Sequence, residues 1–156
     1  MNIIDKLKNK LPANTLFKML RFWPPYLGAG IKVTNISDDF LKLDVEMNLS
    51  WFNKNFVGTH FGGSLFSMTD PFYMLMLIKS LGSEYIIWDK ASKIEFMKPG
   101  VGTVKAHFEF TSDELDEIKH NCQNKKKHLF NKEVYIFDDK GELIAKVEKT
   151  LYVKKK

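Results

Sequence analysis

Between Gly62 and Leu81 apolar side chains fall on nearly every side of a helical wheel. A helix built that way has no face to give to water, so the rest of the chain must wrap around it. Ser67, Thr69, Asp70, Pro71, Lys79 and Ser80 interrupt the run. A membrane span needs about 20 mostly apolar residues, so a buried helix is expected here, not a transmembrane one. Asp70 stands inside this segment, and a carboxylate is costly to bury as an ion unless something nearby compensates it. The pair Gly62-Gly63 at the helix start leaves backbone N–H groups free and aimed outward. One carboxylate and one anion-seeking helix end are therefore expected to face a single substrate.

The segments on either side alternate with period two. Ile31–Ile36 and Leu41–Met47 read as a hairpin about the turn Ser37-Asp38-Asp39, followed by a loop from Trp51 to Thr59. After the helix, which Gly82 can stop, strands are expected at Tyr85–Trp88, Ala91–Met97 and Thr103–Thr111. Pro99-Gly100-Val101-Gly102 makes the bend between the last two. Ser112–Asn121 reads as a short acidic helix, and Leu129–Phe137 and Leu143–Val153 as strands joined by the hairpin turn Asp138-Asp139-Lys140-Gly141. Ahead of the first hairpin, Met1–Trp23 has helical spacing, divided by Pro12 and ended by Pro24-Pro25. The expected class is α+β: a long antiparallel sheet wrapped around a central buried helix, with N-terminal helices. Residues 1–156 make one domain, in which 1–25 form the N-terminal helical segment and 30–153 the core.

Charge and cysteine use narrow the function. The chain carries a formal charge of +5, with lysine triplets at Lys125–Lys127 and Lys154–Lys156. No nucleic-acid motif accompanies them, and the aromatics lie in apolar patterns instead of among the lysines, so solvated tails are expected and no nucleic-acid partner. The N-terminus lacks the apolar stretch of a signal peptide, and the single Cys122 excludes an intrachain disulfide. A cytoplasmic protein is expected. His120, Cys122 and His128 match no standard metal spacing, and no metal or cofactor is expected.

The segment Thr59-His60-Phe61-Gly62-Gly63-Ser64-Leu65-Phe66-Ser67-Met68-Thr69-Asp70-Pro71 resembles the motif of hotdog-fold acyl-coenzyme A thioesterases: a His-Gly-Gly loop with a carboxylate seven residues after the second glycine. Ile94–Gly102 is similar to the family's strand that ends in an aromatic, a proline and a glycine. The resemblance covers residues 30–153 and is to a thioesterase-like branch of unassigned function. It departs from the pattern twice: Phe61 separates His60 from the glycine pair, and Pro71 follows the acid, where it removes a backbone bond and kinks the axis.

The resemblance implies a thioesterase-like hydrolase acting on acyl-coenzyme A or another acyl thioester, with coenzyme A entering as part of the substrate. Asp70 is the expected base that activates water, or the nucleophile that attacks directly. Its apolar surroundings should raise its pKa and the positive helix end should oppose that. The Gly63 amide is the expected oxyanion donor, with Gly62 allowing close approach. His60 can orient water, hold the thioester oxygen or cap the helix. Asn53 and Asn55 are candidates for the polar loop residue opposite the acid, although turn chemistry accounts for each singly. Phe66 and Phe96, with Phe72, Tyr73 and Met74, are candidates for an acyl tunnel, and the same spacings suit plain core. Lys90, Lys93 and Lys98 can reach phosphates or sit on a solvated strand face. Ser64 lacks the glycine-flanked elbow of a nucleophile. A non-catalytic acyl- or lipid-binding module and a hydratase or dehydratase are the alternatives. Because a single sheet leaves an open edge, a homodimer or dimer of dimers is expected, with sites at the interface.

Overall fold

A computed structural model describes residues 13–123 and 126–156. The expected helix within Met1–Leu11 and the lysine at position 125 lie outside the described residues. The elements run α1 (Ala13–Met19), a short 3₁₀ turn (Leu20–Phe22), α2 (Pro24–Ala29), β1 (Ile31–Ile36), β2 (Lys42–Asn48), α3 (Gly62–Ser67) and α4 (Phe72–Leu81), then β3 (Tyr85–Phe96), β4 (Thr103–Glu109), α5 (Ser112–Asn121), β5 (Lys127–Asp138) and β6 (Leu143–Lys155). Among the described residues the six strands form one antiparallel sheet in the order β1-β2-β4-β5-β6-β3, which leaves β1 and β3 as its edges. The sheet wraps around α4, giving the α+β hotdog arrangement expected from the motif.

Alternation explains what the sheet presents to that helix. Leu43, Val45 and Met47 of β2, Val104, Ala106 and Phe108 of β4, and Val147, Leu151 and Val153 of β6 are all buried. From α4 the buried side chains are Phe72, Tyr73, Met76 and Leu77. The contact is aromatic: Phe72 lies 5.2 Å from Phe108 and 5.8 Å from Tyr26, and Tyr73 lies 5.0 Å from Phe108 and 5.3 Å from Phe110, ring centre to ring centre. Such tilted and edge-on pairs each add about 0.5–1.5 kcal/mol beyond the area they bury.

Three local expectations are corrected. The central helix is two helices, α3 and α4, separated at Met68–Pro71. Pro71 has no N–H to continue the ladder, and Thr69 and Asp70 bond instead to the carbonyls of Phe66 and Ser67 in tighter turns. The strands expected at 85–88 and 91–97 are one strand, with a register shift between Asp89 and Ala91 that leaves Lys90 as the extra residue of a bulge. Pro24-Pro25 does end the preceding helical turn, and it also opens α2, where a proline's fixed φ and missing donor suit the first helical positions.

At the far side α5 begins with a reciprocal cap. Thr111 Oγ1 accepts from the Glu114 N–H at 3.1 Å, and Glu114 Oε2 accepts from the Thr111 N–H at 2.8 Å.

Candidate active site

The loop from Leu49 to Phe61 carries the polar candidates, and the structure sorts them by where their hydrogen bonds go. Asn53 is 1% exposed. Its Nδ2 donates to the carbonyls of Ala29 at 2.7 Å and Asn48 at 2.8 Å, and its Oδ1 accepts from the Ser50 N–H at 2.7 Å. The amide expected to meet substrate is thus committed to fastening the loop onto the end of α2. Asn53→Ala strands two carbonyls and an N–H, so we expect a loss of about 2 kcal/mol, read as a lower urea midpoint at unchanged slope. Asn55 is half-buried and equally committed within its own turn, its Oδ1 accepting from the Val57 N–H at 3.1 Å and its Nδ2 donating to the His60 carbonyl at 3.2 Å. Its side chain closes the turn through the Thr59 N–H at 3.0 Å and the Thr59 hydroxyl at 2.9 Å, and it borders the pocket.

That pocket has a volume of about 630 Å³ and is lined by Asn55, Val57, Thr59, His60, Gly62, Leu65 and the segment Phe96–Gly100. Of the expected site residues it brings together Asn55, His60, Gly62 and Phe96. His60 is buried, its Nε2 lies 3.0 Å from the Gly102 carbonyl oxygen, and its Nδ1 has no partner among the described residues. Burial holds its pKa below the ordinary imidazole range, against the opposing pull of the Gly102 carbonyl. His60 is therefore a neutral ring at physiological pH. Its backbone N–H donates to the Gly100 carbonyl at 2.9 Å, tying the loop to the β3–β4 bend.

The glycine pair is explained by close approach. A Cβ on Gly62 would stand 2.9 Å from the Phe96 ring, and one on Gly63 would collide with the Phe61 ring. Phe61, the residue inserted into the motif, caps α3 and folds back over Gly63. The Gly62 and Gly63 N–H groups donate to no acceptor among the described residues, which leaves both free at the start of α3.

Asp70 is not buried: it sits in the break between α3 and α4 with 53% of its side chain exposed. Beneath it lies Lys149 of β6, 1% exposed, with Nζ 2.5 Å from Asp70 Oδ1 and 3.1 Å from Asp89 Oδ2. The sequence left the sign of its pKa open between apolar surroundings and a positive helix end, and the structure supplies the sign. Burial pushes Asp70 upward, but hydrogen bonds from Lys149 and from the Asp89 carboxyl, with the lysine's charge, hold it below the ordinary carboxylate value. Asp89 goes the other way, raised chiefly by burial and also by Asp70, while Lys149 opposes the rise. The phenol of Tyr26 on α2 donates to the backbone carbonyl of Asp70. Phe66, expected in an acyl tunnel, instead lays its ring 5.5 Å from the Lys149 ammonium.

Gly63 and Asp70 do not face one point within a chain. Seven residues of helical rise amount to about 10 Å, whereas an oxyanion donor and an attacking group must both lie within about 3 Å of one carbonyl. Asp70 is also absent from the pocket lining. It opens beside the edge strand β3, from which Asp89 reaches it.

Lys149 and Asp89 were not singled out from the sequence, yet the signal is there. Ala145, Val147, Leu151 and Val153 are the inward row of β6, and Lys149 occupies its middle position. A lysine in an apolar row asks for a carboxylate. Among the other candidates, Lys93 pairs with Glu95 and Lys98 with Glu142 on the surface, Lys90 is exposed, and Ser64 is buried. Cys122 is buried and its thiol donates to the Val153 carbonyl, while His128 stacks on Phe130. Among the described residues no three His, Cys, Asp or Glu side chains converge on a metal position, and no helix is long and apolar enough to cross a membrane.

A family model described as a domain of unknown function (DUF4442) matches residues 14–153. Among solved structures, a Pseudomonas aeruginosa protein of unknown function called a "probable thioesterase" is similar with a TM-score of 0.81 at 14% identity, over 94% of this chain and 97% of that one. A Chlorobaculum tepidum protein of unknown function is similar with a TM-score of 0.75 at 16% identity, over 92% and 95%. A thioesterase from Haemophilus influenzae is similar with a TM-score of 0.68 at 12% identity, over 91% and 90%. At such identities these likenesses show the fold. No curated protein sequence matches the chain.

Proposed function

The chain belongs to the DUF4442 family, and from that premise we propose that it is a thioesterase-like hydrolase of acyl-coenzyme A or a related acyl thioester. The observation that carries this reading is an exposed, ion-paired carboxylate, Asp70, seven residues after Gly63, whose N–H is free at the start of α3 next to Gly62 of the apolar pocket. In this reading the acyl chain enters the pocket beside Phe96, Met97 and Leu65. The thioester oxygen takes a hydrogen bond from the Gly63 N–H, with the Phe61 ring turned aside.

The attacking carboxylate then belongs to a second copy of the chain. The edge strand β3 offers the seam: paired about a two-fold axis, β3 strands join two sheets, and Asp70 beside each β3 can reach the pocket of its mate. As a base, Asp70 takes a proton from water, hydroxide adds to the carbonyl carbon, and the C–S bond breaks as the thiolate recovers that proton. As a nucleophile, it adds to the same carbon, expels the thiolate and leaves an anhydride that water opens. Either course needs the ionised carboxylate that Lys149 favours.

The Phe61 ring lying against Gly63 favours one second reading, a non-catalytic acyl-binding module on the same scaffold. A panel of acyl-coenzyme A esters of increasing chain length separates the two. We expect release of free thiol, with kcat/KM rising as the chain fills the pocket. Micromolar binding with no thiol release assigns the module instead. Light scattering is expected to give the mass of at least a dimer, and a monomer at assay concentration removes the shared-site geometry.

A further inference from the structure

We propose that Lys149 and Asp89 form a built-in holder for Asp70, in which the buried lysine fixes the direction and charge of the exposed carboxylate and Asp89 supplies the second wall of the holder. Lys149 is thereby a positioning residue for the proposed hydrolase, and the inference rests on that reading for its catalytic meaning.

The geometry is that of a socket. Lys149 enters from the inward row of β6, between Val147 and Leu151, and is 1% exposed. A buried ammonium requires compensation, because its desolvation costs several kcal/mol unless partners replace its water. Two carboxylates provide it, Asp70 at 2.5 Å from the helix break and Asp89 at 3.1 Å from β3. The Phe66 ring covers the ammonium from α3 at 5.5 Å. The bulge at Lys90 lies immediately after Asp89, which pairs across the strands with Leu151, one inward position beyond Lys149. Asp89 therefore meets the lysine as a diagonal neighbour on the same sheet face.

The two carboxylates are unequal. Asp70 is half exposed and can release its far oxygen to a ligand, whereas only 15% of the Asp89 side chain is exposed. Asp89 Oδ1 is buried without a partner among the described residues. A buried carboxyl oxygen left alone disfavours the charged form, so the larger share of the negative charge opposite the lysine falls on Asp70. The titratable side chains facing Asp70 among the described residues are Lys149 from β6, Asp89 from β3 and Tyr26 from α2, and the last bonds to the Asp70 backbone, leaving the carboxylate to the other two.

A division of labour follows. The lysine holds the Asp70 carboxyl below the ordinary carboxylate range and stops it from turning back into the break. It also takes up one of the carboxylate's two oxygens, so that the other is presented outward to reactant.

The test uses the full 156-residue chain with carboxyl-13C aspartate labelling, Asp70 being assigned by loss of its signal in Asp70→Asn. In the wild type we expect the Asp70 signal to titrate below the ordinary carboxylate value of about 3.9 and Asp89 above it. In Lys149→Met, which keeps the stem and removes the charge, the Asp70 midpoint is expected to rise by about one pH unit or more. The acid limb of kcat/KM for thiol release moves up with it, and Lys149→Arg returns both toward wild type. A purely structural lysine would lower the melting temperature without moving that limb.

Should Lys149→Met not fold, the wild-type titration alone decides, since equal and ordinary midpoints for Asp70 and Asp89 overturn the proposal. If wild type hydrolyses thioesters and neither the midpoint nor the limb moves in Lys149→Met, the holder is wrong and the hydrolase stands. A midpoint that moves in a protein releasing no thiol leaves the holder standing and removes the hydrolase.

Discussion

Asp70→Asn is expected to lower kcat/KM for acyl thioester hydrolysis by about 10²–10⁴-fold, the range lost when a positioned acid–base group is removed. The asparagine keeps the shape of the side chain and an oxygen that can still accept from Lys149, but it can neither take a proton from water nor attack as an anion. Its site is half exposed, and Lys149 keeps Asp89 as its charged or hydrogen-bonding partner. The fold is therefore expected to survive, with circular dichroism and elution volume matching wild type. The measurement is thiol release under saturating and subsaturating substrate. Retention of more than a third of wild-type kcat/KM in Asp70→Asn removes Asp70 from the reaction, and the hydrolase reading falls with it.

The largest effect on stability is expected at Phe72. Its side chain is fully buried at the first turn of α4, between Tyr26 of the N-terminal segment and Phe108 of β4. Truncation to alanine removes the ring and leaves a void between three elements that cannot all close in on it. Phe72→Ala should cost about 3–5 kcal/mol. For a domain of this length that corresponds to a fall in Tm of about 10 °C. A second consequence is local: Phe72 begins two residues after Asp70, so loosening α4 should slow hydrolysis more than melting alone explains. Calorimetry sets the first quantity, and the rate per folded molecule at a temperature well below the transition sets the second. A Tm within 3 °C of wild type would mean that the Phe72 site collapses around the alanine.

Much of this architecture was readable along the chain because it depends on periodicity. Strand alternation in Leu43–Met47 and Val104–Phe108 reports one buried face directly, and the Thr111–Glu114 box marks the start of α5 without any tertiary help. Turn chemistry at 138–141 closes the β5–β6 hairpin in the same way. The local errors fall where two rules compete. In the central segment helical pattern met Pro71, and the missing donor broke the helix into α3 and α4 instead of merely kinking it. In β3 the alternation lost its phase at Lys90, which reads as a strand end from sequence and is a bulge in the sheet.

The site was less legible, because its residues come from distant parts of the chain. His60, Gly62, Asn55 and Phe96 line one pocket, which the loop at 55–62 and the end of β3 form together only in the fold. Asn53 looks equivalent to Asn55 in sequence and fastens a different contact, since Asn55 closes its own turn whereas only the docking of α2 reveals the carbonyl of Ala29 that claims the Asn53 amide. Phe66 was one apolar residue among many until Lys149, 83 residues later in the numbering of this chain, placed an ammonium beneath it.

By itself the sequence determined that a greasy helical segment needs a wrapping sheet, that Gly62-Gly63 opens that segment with free amides, and that a carboxylate stands seven residues further on. Those are local facts, written in residue types and spacing. Only the tertiary structure decided what kind of carboxylate Asp70 is. Apolar neighbours in sequence suggested a buried acid, its pKa pushed up by them and down by the helix end, but the break at Pro71 turns it outward and strands β6 and β3 bring Lys149 and Asp89 against it. The physical reason is that burial and charge act through space. The sign of their sum depends on an ammonium that chain connectivity keeps far away and sheet pairing delivers to 2.5 Å.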